Sequence, residues 1–360
     1  MRFRSTSHTE SLPRRWLFRV AVVVLATLGS LAVLFGVDYY LHSKFERTAG
    51  VNIWGYRGPV VGRKKPQERR VAIVGGSATF GYGVLWNEAF PAVLERKLRA
   101  RVPAQTISVV NLGYHNDGAY SLQFTLHDYQ YLDYDAVCVY DGYNDVMMEG
   151  QNASVFRRSS PVYRLTGYMP IFPLIFREKA GALLSGGDAG ALYLINGKTV
   201  FHPSLARKAG ADALQAAAAV GEALERQLSH VTPEPAHAVS GDRVTGCRAP
   251  WNSYCESIDA AVTLAVARNT RVLVVTQPYL LGYVGARHRV QQEEMAAMLT
   301  RRFEGRPDVR YLNLGSLIDL AERELSFDRM HLTARGNEMI AAALVEPILD
   351  LLALPATATR

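Results

Sequence analysis

Five short strand-like runs, at 71–74, 105–111, 136–140, 270–276 and 309–314, constrain this chain more than any other feature. The first, Val-Ala-Ile-Val, and the third, Ala-Val-Cys-Val-Tyr, are apolar at every position, as strands covered on both faces are. Helical spacing separates the runs. Phe90, Val93, Leu94 and Leu98 recur on one face up to Arg101, and Leu122, Leu126 and Tyr129 share a face within 118–132. Further helices are expected over 256–268, 286–304, 316–325 and 333–352. Such alternation implies a parallel five-stranded sheet with right-handed crossovers and helices on both faces, a three-layer α/β/α domain over 69–355. It stops between about 146 and 256, a long insertion. That stretch holds an apolar patch (169–176), a glycine-rich section (181–190), and an alanine-rich amphipathic helix over 205–228.

Residues 20–37 carry no charge over 18 positions, about 27 Å as a helix. With Trp16-Leu-Phe in front and Arg19 able to snorkel, this run can cross a hydrocarbon core of ~30 Å. Tyr39 and Tyr40 stand at its far end as interface aromatics do. A cleaved signal peptide competes, because the N-terminus is basic and the core apolar. The run is longer than a usual leader core, and no A-x-A site follows it. The expected layout is a cytoplasmic tail (1–15), a transmembrane anchor (16–38) and a juxtamembrane connector (39–68), with the remainder outside the membrane. The formal charge of +7 does not contradict this. Five arginines against Glu10 place +4 of it in residues 1–37, leaving +3 spread over the rest, which is no nucleic-acid footprint. Arg63-Lys-Lys65 and Arg69-Arg70 could meet lipid headgroups or simply be solvated. Cys247 and Cys255 could pair in an oxidising compartment, whereas Cys138 reads as a small buried hydrophobe. Asn152 opens a glycosylation sequon, meaningful only in a host that uses it.

The first strand breaks at Gly75-Gly76, and Ser77 follows at once. A strand, a glycine turn and a serine opening a helix put a hydroxyl at the carboxyl edge of a parallel sheet, where open α/β sheets bind ligands. Neither phosphate-loop pattern is present, nor is the G-x-S-x-G elbow. A serine capping the next helix is the plainer reading. Loops after the strands share that edge, so Ser77, Gly113 and Asn144 are neighbours, and the loop before the last helix brings Asp328 and His331 there. A serine hydroxyl needs a base, here His331, and the base needs a carboxylate, here Asp328, three residues away. The backbone N–H groups of Ser77 and Gly113 and the amide of Asn144 could form an oxyanion hole. His115, in the Gly113 loop, is a competing base, and Asn144 could be only a turn former. Asp141 and Asp145 flank Asn144 but lack the histidines of a metal site, so no metal or cofactor is expected.

Together, Gly-Gly-Ser77, Asn-Leu-Gly113, Gly142-Tyr-Asn144-Asp145 and Asp328-Arg-Met-His331 resemble the four blocks of the SGNH, or GDSL-type, hydrolases. The resemblance covers about 69–145 and 256–352, and implies a flavodoxin-like fold and metal-free hydrolysis of esters, thioesters or O-acyl groups. One position departs: the aspartate that usually precedes the serine is Gly76 here. The expectation is a membrane-anchored, extracytoplasmic serine esterase removing O-acyl groups, foremost O-acetyl groups, from a surface glycan. A lysophospholipase or thioesterase using the 169–176 patch for its acyl chain is an alternative. An O-acyltransferase and a non-catalytic glycan-binding protein are others.

Overall fold

The computed structural model describes residues 14–46, 50–147, 160–184, 204–229 and 245–354; the Asn152 sequon and residues 185–190 of the glycine-rich section lie outside them. Strands β1 (Arg69–Val74), β2 (Ile107–Asn111), β3 (Ala136–Tyr140), β4 (Arg271–Thr276) and β5 (Val309–Asn313) pair in parallel throughout, in the order β2-β1-β3-β4-β5. The helices are α1 (Arg14–Phe45), α2 (Ser77–Phe80), α3 (Phe90–Arg101), α4 (Ala119–Asp128), α5 (Tyr143–Met147) and α6 (Pro161–Thr166). They continue with α7 (Phe172–Leu184), α8 (Leu205–Ser229), α9 (Asn252–Ala267), α10 (Gly282–Arg302) and α11 (Ala334–Leu352).

Period-two alternation divides each central strand between two cores. Val71, Ile73, Cys138, Leu273 and Val275 pack under α3 and α11, against Leu94, Leu98, Ile340 and Leu344. Ala72, Val74, Val137, Val139, Val272 and Val274 pack under α4, α9 and α10, against Leu122, Ile258 and Met298. Strand order reverses between β1 and β3, so the chain leaves these neighbouring strands toward opposite sides and opens a crevice at their carboxyl ends. The loop after β1 carries Ser77.

Three stretches differ from their sequence reading. Residues 316–325 form turns instead of a helix. Asp319 Oδ1 accepts the Ala321 N–H at 2.8 Å, a local bond that competes with helical pairing. Within 118–132, α4 ends at Asp128 and a single 3₁₀ turn, Gln130–Leu132, follows. The third difference concerns residues 39–68, read as a connector. Helix α1 runs unbroken to Phe45, and its last turns are packed on the domain with Asp38, Leu41 and His42 buried. Asp38 accepts the N–H groups of Ile171 and Phe172 at 2.8 and 2.5 Å, satisfying donors at the start of α7 from another helix. The His42 ring nitrogens lie 2.9 Å from Val51 O and 2.7 Å from Met169 O. The apolar patch is therefore used as core at Met169, Ile171 and Phe172. Along the rest of α1, Trp16, Phe18, Val23, Leu25, Val33 and Phe35 are exposed, and its best 18-residue window has a mean hydropathy of 2.6.

The basic clusters are tied to the domain. Arg70 is buried and bound to Glu68, while Lys64 and Arg69 pair with Asp135 at 2.9 and 3.3 Å. They sit where the strands begin, at the sheet edge opposite Ser77, beside a hollow of about 870 Å³. Cys247 and Cys255 form a disulfide, and Cys138 is buried and free.

Candidate active site

Ser77 is the first residue of α2, so its N–H has no partner within the helix. Its Oγ lies 2.8 Å from His331 Nε2, and His331 Nδ1 lies 2.6 Å from Asp328 Oδ2. The other Asp328 oxygen accepts the backbone N–H groups of His331 at 2.7 Å and Met330 at 3.0 Å. Burial pushes the Asp328 carboxyl up, but these bonds and the facing ring outweigh it and hold it below the usual carboxylate range. Asp328 thus stays ionised beside the His331 ring. His115, the competing base, lies against Phe80, ring centroids 4.1 Å apart. The ring in hydrogen-bond reach of Ser77 is that of His331.

Gly113 and Asn144 lie beside this pair, each already engaged. Asn144 Nδ2 donates to Asp117 O at 2.6 Å, leaving the second N–H of its amide. The Gly113 N–H donates to Asn111 Oδ1 at 3.0 Å. The loops approach so closely that a Cβ at Gly113 would stand 2.6 Å from Phe80 N. At Gly76 it would stand 2.5 Å from Asn144 Nδ2 and 2.8 Å from Asp117 O. This accounts for the departure noted in the sequence: no side chain fits at position 76.

Asp141 occupies the neighbouring space, its Oδ1 3.5 Å from where that Cβ would be. Burial, and then the charge of Asp145, push Asp141 well above the carboxylate range, against hydrogen bonds from the backbone of Gly142 and Gly76. A neutral Asp141 joins the two loops without adding a negative charge between them. Burial pushes Asp145, which accepts the Ala119 N–H at the start of α4, up to about 6. The folded chain therefore keeps a proton there that the unfolded chain releases near 3.9, and stability falls as pH rises through that window. Asp145→Asn keeps the acceptor and cannot ionise. Its melting temperature relative to wild type should rise by a few degrees between pH 4.5 and 7, and a constant difference would contradict the assignment.

Several residues shaping the site carry no sequence signal. The buried Arg57, between Tyr56 and Gly58, donates to Phe80 O and Gly81 O at 2.6 Å and to Val84 O at 2.5 Å. Its own N–H donates to Asn111 O at 3.1 Å. Asn111 Nδ2 reaches Thr79 O at 3.0 Å, and Thr79 Oγ1 reaches Tyr140 O at 2.8 Å. Burial lowers the Arg57 guanidinium to about 10, still a cation at neutral pH. The segment read as a linker thus clamps the serine-bearing loop.

No protein-family profile and no curated protein matches the sequence. Among solved structures, the acetylxylan esterase Axe2 of Geobacillus stearothermophilus is 12% identical, with 81% of this chain and 97% of that chain covered at a TM-score of 0.43. The psychrotrophic esterase EstA of Pseudoalteromonas sp. is 12% identical, with 79% and 99% covered at 0.44. A member of the lipolytic G-D-S-L family from Veillonella parvula is 9% identical, with 77% and 97% covered at 0.42. Likeness at this level carries no weight beyond what the chain's own geometry supplies.

Proposed function

We propose that the chain is a membrane-anchored serine esterase that removes short O-acyl groups, foremost acetyl, from a glycan outside the membrane. The observation that carries this is the continuous Ser77–His331–Asp328 relay. Ser77 Oγ attacks the acyl carbon as its proton passes to His331 Nε2, with Asp328 holding the ring. The tetrahedral oxyanion is met by the Ser77 N–H and the Asn144 amide. Collapse expels the sugar oxygen, which takes the proton from His331. Water then repeats the sequence, releasing the acid and restoring Ser77.

The anchored reading is supported by α1, one unbroken helix that joins the apolar run to the turns packed on the domain at Asp38 and His42. The short-acyl reading is supported by the 169–176 patch, in which Met169, Ile171 and Phe172 pack into the core. Turnover of p-nitrophenyl esters by the full chain in detergent tests the short-acyl reading. Acetate should exceed octanoate by at least tenfold in kcat/KM, and the reverse order would favour a lipid or thioester substrate.

A further inference from the structure

Two aromatic rings beside the relay lie half in water. Tyr82 and Phe327 are each 47% exposed, although ring centroids place them 4.9 and 5.9 Å from His331. Phe327 lies nearly parallel to the imidazole, at 18°, and Tyr82 is inclined 35° to Phe327 at 6.3 Å. The half-buried His115 meets Tyr82 edge-on at 5.4 Å. Exposed rings of this size contribute little to the core, and their clustering at a reactive edge marks a contact surface.

The surface is held in place by the same backbone as the relay. The Tyr82 N–H donates to Ser77 O at 3.1 Å, and the Phe327 N–H donates to His331 O at 3.2 Å. Gly83, at φ +86°, passes directly against the Phe327 ring, where a Cβ would stand 2.3 Å from its Cζ. Any side chain there would displace the ring. The rings thus keep a fixed offset from Ser77, as a surface that seats one side of a reacting ester must.

We infer that Tyr82 and Phe327 form a stacking subsite for a pyranose ring, the alcohol side of the ester. This deepens the ester-hydrolase reading and relies on it for the reacting bond. Sugar rings present C–H faces to aromatic faces and leave their hydroxyls directed to water, which suits open, tilted rings. A long acyl chain would instead need an enclosed apolar channel, and Met169, Ile171 and Phe172 of the candidate segment are packed in the core.

The test uses the full chain in detergent, with glucose pentaacetate against ethyl acetate, which has no ring to stack. In Phe327→Ala and Tyr82→Ala, kcat/KM for the sugar ester should fall at least tenfold more than for ethyl acetate, mainly through KM. Phe327→Trp should restore the ratio. Equal losses on both esters would overturn the subsite. A loss specific to octanoyl esters would assign the rings to an acyl chain, and one seen only with substrate in phosphatidylglycerol vesicles would assign them to a membrane surface. Either result overturns it. Calorimetric binding of the pentaacetate to Ser77→Ala separates the subsite from the chemistry. Phe327→Ala in that background should weaken binding tenfold or more, whether or not the wild type hydrolyses the ligand, and unchanged binding would overturn the subsite.

Discussion

Ser77→Ala and His331→Ala will each lower kcat on an acetate ester by about 10⁴-fold or more, and the double variant will be no slower than either single one. The reason is geometric. The hydroxyl, 2.8 Å from the imidazole, becomes a competent nucleophile only while that ring can take its proton. Removing either partner removes the same step, so the losses do not add. KM should change little, because neither truncation withdraws a group that holds the ground state. Steady-state kinetics with circular dichroism of each variant checks this. Additive losses, or a His331→Ala enzyme within tenfold of wild type, would mean that another group serves as base.

The second large effect is expected at Arg57, far from the relay in sequence. Its guanidinium holds three carbonyls of the loop that carries Ser77, and all three bonds are 2.6 Å or shorter. Arg57→Ala takes the shortest donor from each of these oxygens, leaving Phe80 O the Asn111 amide at 3.2 Å and Gly81 O the Val84 N–H at 3.3 Å, at a cost of about 1–3 kcal/mol for each charged hydrogen bond lost. The expected result is a destabilisation of about 3 kcal/mol or more by urea unfolding, with kcat falling by roughly 10²-fold as the loop loses registry with His331. Arg57→Lys should lie between, since a point ammonium cannot span carbonyls arranged for a planar fork. Lost stability with unchanged kcat at a temperature where the variant is folded would make Arg57 a fold anchor only.

The alternation of apolar runs with helical spacing carried the sheet, because burial on both faces leaves an uninterrupted apolar signature. It also placed Ser77, Asn144 and His331 on one edge, since loops after parallel strands must share it. The missed features depend on contacts between distant segments. Arg57 sits in a glycine-flanked stretch with no period, and only the fold reveals that it reaches residues 80–84. Asp38 looked like the end of a membrane helix, yet it serves the first donors of α7, 133 residues later in the chain. Spacing offers the Gly113 N–H as an oxyanion donor; in the fold Asn111, two residues earlier, accepts it through its side chain, a local bond that spacing does not disclose. Residues 316–325 have apolar residues at plausible helical spacing, and the Asp319 side chain decides against the helix.

The most direct test of the central claim is the intact mass of the chain after exposure to diethyl p-nitrophenyl phosphate, followed by peptide mapping. An activated serine displaces p-nitrophenolate and keeps the diethylphosphoryl group. One adduct per chain, on Ser77, is expected, with its formation slowed by orders of magnitude in His331→Ala. No adduct, or one on another residue of the folded wild-type chain, would contradict a nucleophile at Ser77 activated by His331 and Asp328.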